Sequence, residues 1–288
     1  MAVQEMSLGT SAVGGIYYTL GVPISQVVNK HVPGVHVTPE ITIGTVENLR
    51  LIGQERIQLG ITLPLMAVKA LNGIEPFKEK IPIRTVMRLT PVINVFVALA
   101  GSGIRTHEDL RGKRVNLGQP GGLDQNSINL LAAYGLTLRD IRPSVQGIGA
   151  GVDALKDGKF DAVITTIPLI NQLKSTHDIT ILWPDEAHID KLVAEVPAYG
   201  KWLMPPGTVT GIDKPVYTPD FGTQLSCHEN ADPDLIYKIT KALVENRDEL
   251  TAMFAQYRHV TKEWAATTLG IPHHPGALKY YKEAGLIK

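Results

Sequence analysis

The chain has 288 residues, with 28 Lys plus Arg balanced by 28 Asp plus Glu and a single cysteine, Cys227. Zero net charge excludes the basic excess that phosphate neutralisation demands, so nucleic acid is not an expected partner. One cysteine excludes an internal disulfide framework and a thiolate metal cluster, and no apolar run reaches the roughly 18 residues of a membrane span.

The length exceeds what one core needs, and two lobes are expected. The first strand is predicted over Gln4 to Leu8, followed by a glycine-rich loop and a helix from about Gly15 to Asn29. Ile16, Leu20, Ile24, Val27 and Val28 fall on one face of that helix, and Pro23 lies inside it. Val35 to Thr42 alternates as a strand, and Thr45 is placed to cap a helix carrying Val46, Leu49, Leu51 and Ile52. Gln58 to Thr62 is a third short strand, and Pro64 suits the first turn of a helix through Leu71. Strand–helix alternation of this kind predicts an α/β fold with mostly parallel sheets.

Between Arg84 and Ala100 two extended runs meet at Pro91 with no helix between them, which marks a first passage between lobes. Thr106 and Asp109 read as a capping box, and Lys113 to Leu117 starts a new strand. Helices are predicted over Asp124 to Tyr134 and Gly149 to Asp157, a strand over Phe160 to Thr165 and a helix from Pro168. A strand over Ile179 to Trp183 and a helix over Asp185 to Glu195 follow. Residues 204–220 are rich in Pro and Gly and read as an irregular connection. Phe221 to His228 is extended and marks the second passage; Asp232 and Pro233 start a helix, and the last helix runs from Pro275 to Gly285. The resulting division is residues 1–92 with 226–288 as a discontinuous first lobe and 93–225 as an inserted second lobe. Two crossings of that kind predict a central cleft facing strand ends, with two extended hinges.

Three times an apolar strand ends in a glycine-bearing loop that opens a helix: LGTSAVGG, ITIGTVEN and VNLGQPGGLD. Each junction presents backbone N–H groups at the positive end of a helix dipole, which suits an anion. The candidate ligand set is therefore Ser11, Ala12, Val13, Gly14 and Gly15, then Thr45, Val46 and Glu47, then Gln119, Gly121, Gly122, Leu123 and Asp124. Tyr17, one turn into its helix, and the hydroxyls of Thr62, Thr165 and Thr166 at strand ends add polar contacts. Arg88 is the cation on the strand leading to the first passage, able to offer a forked donor to a carboxylate or simply to stand exposed. The first loop lacks the G-x-G-x-x-G spacing of a dinucleotide fingerprint. His273 and His274 precede a helix-starting proline and read as capping and packing groups, not metal ligands, and no cofactor is expected. No nucleophile with an adjacent base is visible, so catalysis is not expected. The competing readings are an enzyme using Asp124, Glu47 or Cys227, and a ligand-sensing module of a signalling system.

The segments GTSAVGGIYYTLG, TIGTVENLRLI, GKRVNLGQPGG, ALKDGKFDAVI, DLIYKITKALVEN and IPHHPGALKYYKEAGL, in this order, resemble the TAXI family of solute-binding receptors for TRAP transporters. The resemblance covers nearly the whole chain, and its terminal piece is the most specific. It implies a two-lobe type II periplasmic-binding-protein fold. It also implies a monomeric receptor that delivers a small organic acid, such as a dicarboxylate, a keto acid or a glutamate-like amino acid, to TRAP membrane permease subunits. Periplasmic location follows, with a signal peptide missing from this sequence. The resemblance places the ligand loops on Gly9, Thr10, Gly14, Gly15 and Tyr17, and on Gly44, Val46, Glu47 and Asn48. This chain departs at Ser11-Ala12-Val13, where relatives carry glycines, at a shortened Gln119–Asp124 loop, and at Arg88, where a small residue is common.

Overall fold

Strands and helices alternate through the first 72 residues, as the periodicity demands. The computed structural model describes residues 3–288. Along the chain, β1 (Gln4–Gly9), α1 (Ile16–His31), β2 (Val35–Glu40), α2 (Thr45–Gly53), β3 (Leu59–Thr62), α3 (Pro64–Asn72) and β4 (Ile83–Arg88) come first. There follow β5 (Asn94–Leu99), β6 (Arg114–Asn116), α4 (Leu123–Ala133), β7 (Arg142–Ser144), α5 (Ile148–Lys156), β8 (Ala162–Thr166) and α6 (Ile167–Lys174). Then β9 (Ile179–Leu182), α7 (Glu186–Glu195), β10 (Gly200–Met204) and β11 (Val216–Asp220) lead to β12 (Gln224–His228). The chain ends through α8 (Pro233–Glu245), α9 (Arg247–Met253), α10 (Lys262–Ala265) and α11 (Pro275–Glu283).

The chain divides into two units, one formed by residues up to Pro91 together with Gly222–Lys288, the other by Val92–Phe221. The inserted unit ends at Phe221, ahead of the 225 boundary read from sequence, because Gln224 and Leu225 already pair with β3 and β4. In the first unit the sheet order is β2-β1-β3-β12-β4, with β1 parallel to β2 and β3 and with β12 antiparallel to both its neighbours. The second unit has the order β7-β6-β8-β5-β9, with β6 parallel to β7 and β8 and with β5 antiparallel to β8 and β9. Each sheet is thus parallel except for the strand that enters it after a passage. The fold is mixed α/β in two domains, each built on its own five-stranded sheet, as the expected two-lobe fold requires.

One correction concerns residues 204–220. Their last five residues form β11, which pairs antiparallel with β10, the strand leading into the stretch, registered from Gly200 opposite Asp220 to Met204 opposite Val216. The Pro- and Gly-rich stretch between them is the connection, and Pro219 sits on a two-stranded ribbon, where a missing N–H is tolerated.

The first core joins α1, α8 and α11 to the sheet through Leu20, Ile24, Val28, Leu59, Ile61, Ile239, Leu243 and Tyr281. The terminal motif explains itself here. His274 is the N-cap of α11: its Nδ1 accepts from Gly276 N at 3.2 Å, while Nε2 lies 3.1 Å from the Glu229 carbonyl. A Cβ on Gly276 would lie 2.1 Å from the Pro233 carbonyl oxygen, so α11 approaches α8 as closely as only glycine permits. Tyr281 donates to the Val86 carbonyl at 3.0 Å. Capping and packing therefore account for His274, and burial holds the pKa values of both His273 and His274 below the ordinary histidine value.

Candidate functional site

Helix α2 shows how the first unit holds its loops. Its buried positions are Thr45, Asn48, Leu49 and Ile52, an apolar-face spacing that carries an asparagine in the stripe. A buried amide must be satisfied, and Asn48 is: Nδ2 donates to the carbonyls of Gly9 (3.2 Å), Thr10 (2.9 Å) and Ile61 (2.9 Å). Its Oδ1 accepts from Thr42 Oγ1 at 2.7 Å, and the same hydroxyl lies 2.8 Å from the Thr10 carbonyl and accepts from Gly44 N at 3.1 Å. A Cβ on Gly9 would lie 2.6 Å from Asn48 Oδ1, which is why the strand ends in glycine there. The loops after β1 and β2 are consequently one bonded piece.

A second tie runs through Thr45. Its hydroxyl lies 2.9 Å from Tyr17 Oη and accepts from Leu63 N at 3.2 Å, so one side chain links the starts of α1, α2 and α3. Burial raises the Tyr17 pKa, keeping its hydroxyl protonated. Thr45 is therefore a link and not the cap read from sequence; Gly44, at φ +105°, occupies the N-cap of α2.

The amides of the first loop divide into used and open. Thr10 N donates to the Glu40 carbonyl and Gly15 N to the Ala12 carbonyl. Among the described residues, the amides of Ser11, Ala12, Val13 and Gly14 have no acceptor within the chain, nor have those of Thr45, Val46 and Glu47. Helix α1 has no acid in its first turn and no side-chain cap, whereas α2 carries Glu47, whose Oε2 accepts from Ile43 N at 2.6 Å.

The remaining predicted residues of this unit are engaged internally. Thr62 Oγ1 is buried 2.8 Å from Ser226 Oγ, which accepts from Gln224 Nε2 at 3.0 Å; Gln224 Oε1 in turn accepts from Thr85 at 3.2 Å. The Thr62 hydroxyl thus belongs to a polar row across β3, β12 and β4. Arg88 is buried, not an exposed strand charge: it donates to Thr267 Oγ1 at 2.8 Å, and its guanidinium lies 3.6 Å above the Trp264 ring.

In the second unit the third loop is self-capped. Asp124 Oδ1 accepts from Gly122 N at 3.1 Å, which removes Gly122 from the donors read from sequence. Gly121 and Gly122 take φ of +111° and +137°, a region that suits glycine alone. Gln119 and Gly121 are exposed, and Leu123 and Asp124 are half-buried. Thr165 is buried on β8 with an Oγ1 that finds no partner among the described residues, while Thr166 is the N-cap of α6 without a side-chain bond. Sequence reading missed Asn116, which accepts from Gln146 N at 2.8 Å, and the chain Asn129–Tyr199–Asn126, at 2.9 and 2.8 Å. Polar residues inside otherwise apolar stretches were the available signal.

Cys227 is buried on β12, and burial pushes its thiol pKa upward, which disfavours a thiolate nucleophile. Among the described residues no group of three or more His, Cys, Asp or Glu could hold a metal, and no helix is long and apolar enough to cross a membrane.

Solved structures share this architecture at low sequence identity. PhnD1 of Prochlorococcus marinus, solved with methylphosphonate, matches with a TM-score of 0.63 at 10% identity, covering 99% of each chain. A putative periplasmic sulfonate-binding protein from Methylobacillus flagellatus gives 0.60 at 15%, covering 99% of this chain and 88% of that one. The periplasmic aliphatic sulphonate binding protein from Escherichia coli gives 0.56 at 14%, covering 98% and 84%. By sequence, residues 8–285 match the NMT1-like family, and the chain belongs to it.

Proposed function

We propose that this protein is an extracytoplasmic solute-binding receptor that captures a small organic oxyanion and delivers it to membrane permease subunits, without catalysing a reaction. The observation that carries the reading is the run of amides at Ser11–Gly14 and Thr45–Glu47, open toward a ligand and fixed by Asn48, Thr42, Tyr17 and Thr45. Neutral donors held in place bind an oxyanion without having to be reorganised when it arrives. The named ligands of the structural neighbours, a methylphosphonate and sulfonates, share that oxyanion chemistry with the carboxylates implied by the TAXI resemblance.

The test is calorimetric titration of the full chain with carboxylates, sulfonates and phosphonates. Micromolar binding of one class is expected, weakened at least tenfold in Asn48→Ala, because loss of that amide releases both loops. Absence of binding across all three classes by a cooperatively folded protein would remove the receptor reading. The sequence segments support TRAP-type permease subunits as the partner, whereas the Methylobacillus flagellatus neighbour is named as part of a sulfonate ABC transporter. Uptake that follows an ion gradient would select the first and uptake that follows ATP the second.

A further inference from the structure

The two bonded loops of the first unit carry an unusual surface. Ile43 is 92% exposed, Val13 66%, Ile41 63% and Ile16 41%. In sequence all four lie close to the open amides: Ile41 and Ile43 bracket Thr42, which bonds Thr10, while Val13 and Ile16 bracket the Gly14–Gly15 entry to α1. Scattered exposed aliphatics need no explanation, but here three lie on two loops joined by hydrogen bonds and the fourth, Ile16, opens the helix that follows one of them, the same segments that carry the open amides. Charge argues for its occupant. Glu47 Oε2 is bonded to the backbone of Ile43 itself, so a second negative charge laid along these side chains would face a fixed carboxylate while losing water.

We infer that the ligand is an amphipathic monoanion whose charged head meets the open amides and whose aliphatic or aromatic body lies on Val13, Ile16, Ile41 and Ile43. This rests on the receptor reading above and narrows its ligand from small oxyanions in general, dicarboxylates included, to those with one charge and an apolar body.

Calorimetric titration of the full chain with acetate, butyrate, hexanoate and octanoate, the matching alkanesulfonates, and succinate and adipate tests it. Affinity should rise roughly fourfold per added methylene, the factor equivalent to burying one such group, and adipate should bind at least tenfold more weakly than hexanoate. Ile43→Ser and Ile41→Ser should each flatten the dependence on chain length. Binding that ignores chain length, or that favours the dicarboxylates, would overturn the inference and leave the receptor reading standing. Silence from every acid, with cooperative thermal unfolding intact, would remove the receptor reading itself.

Discussion

The two units share one plan and differ in how they hold the loops before their helices. Each has a five-stranded sheet whose single antiparallel strand, β12 or β5, is the one that follows a passage. In the first unit, hydrogen bonds run between loops, through Asn48, Thr42 and Thr45, and the start of α1 carries neither an acid nor a cap. In the second, Asp124 accepts from Gly122 N at the start of its own helix, while Asn116 joins the loops after β6 and β7 through Gln146, and Tyr199 bonds Asn126 and Asn129 of α4. What separates the units is the start of α1, where neither an acid nor a side-chain cap takes up an amide, whereas Asp124 takes up Gly122 N at the start of α4. The first unit is therefore the better prepared for an anion.

The sharpest way to break that comparison is through close packing, where the units also differ. A Cβ at Gly276 meets backbone, 2.1 Å from the Pro233 carbonyl and 2.8 Å from Tyr237 N, and two packed helices must separate to admit it. At Gly151 in the second unit the Cβ lies 2.1 Å from Asn116 Nδ2, a side-chain end that can swing aside. Gly276→Ala should cost about 3 kcal/mol, the upper part of the overpacking range, and Gly151→Ala about 1 kcal/mol. Urea unfolding checks the sizes, and hydrogen exchange should show the first loss in the first unit. Equal effects would mean that helix α11 can shift as easily as a side chain.

Next in size is acid sensitivity of the second unit. His107 is buried against Tyr134, with ring centroids 4.0 Å apart, and Tyr134 stacks on His188 at 3.8 Å. Burial lowers the His107 pKa from 6.5 to about 4, and nearby His188 adds to this, while the charges of Glu108 and Asp185 oppose it. The folded state thus binds fewer protons than the unfolded chain between those values. Stability is complete above about pH 6.5 and falls as pH drops toward 4. The shift predicts a loss of roughly 2–3 kcal/mol between pH 7.5 and 4.5 from this group. His273 and His274 act with the same sign in the first unit, so the wild type must be compared with His107→Leu, whose loss should be smaller by that amount. Urea titrations at the two pH values measure it; an unchanged pH dependence would show that His107 is not protonated on unfolding in this range.

Much of the fold was legible because strand–helix alternation, proline at helix starts and the Asp232 cap are local signals. Asp232 accepts from Asp234 N and Leu235 N, as its position ahead of Pro233 implied. The β10–β11 pair was not legible, since β11, with Pro219 and a preceding loop of Pro and Gly, has no alternation to show. The candidate site was half legible. Glycine loops gave the positions of the amides but not their fate, because whether Gly122 N faces a ligand or Asp124 depends on a side-chain rotamer. Thr62 was read as a polar group at a strand end and Arg88 as a cation on the strand leading to the first passage; that Ser226, Thr267 and Trp264, distant in sequence, engage them could not be read locally. Asn48 was legible in principle, as an amide in an apolar stripe that must find partners.

The smallest effect separates capping from ligand repulsion. Glu47 sits in the first turn of α2, where a carboxylate favours the helix dipole, and it holds the amide of Ile43. Glu47→Gln keeps a side-chain oxygen for Ile43 N but loses the charge, so stability should fall by only about 0.3–1 kcal/mol. Asp124→Asn should cost a similar amount in the second unit, where it caps α4 through Gly122 N. Binding then distinguishes the two. Removal of the Glu47 charge from beside the open amides of the first unit should raise affinity for a bound oxyanion several-fold, most of all for a dicarboxylate. Thermal unfolding and calorimetric titration on the same samples measure both quantities. If affinity falls in Glu47→Gln, the carboxylate is a ligand contact and the bound molecule carries a positive group toward it.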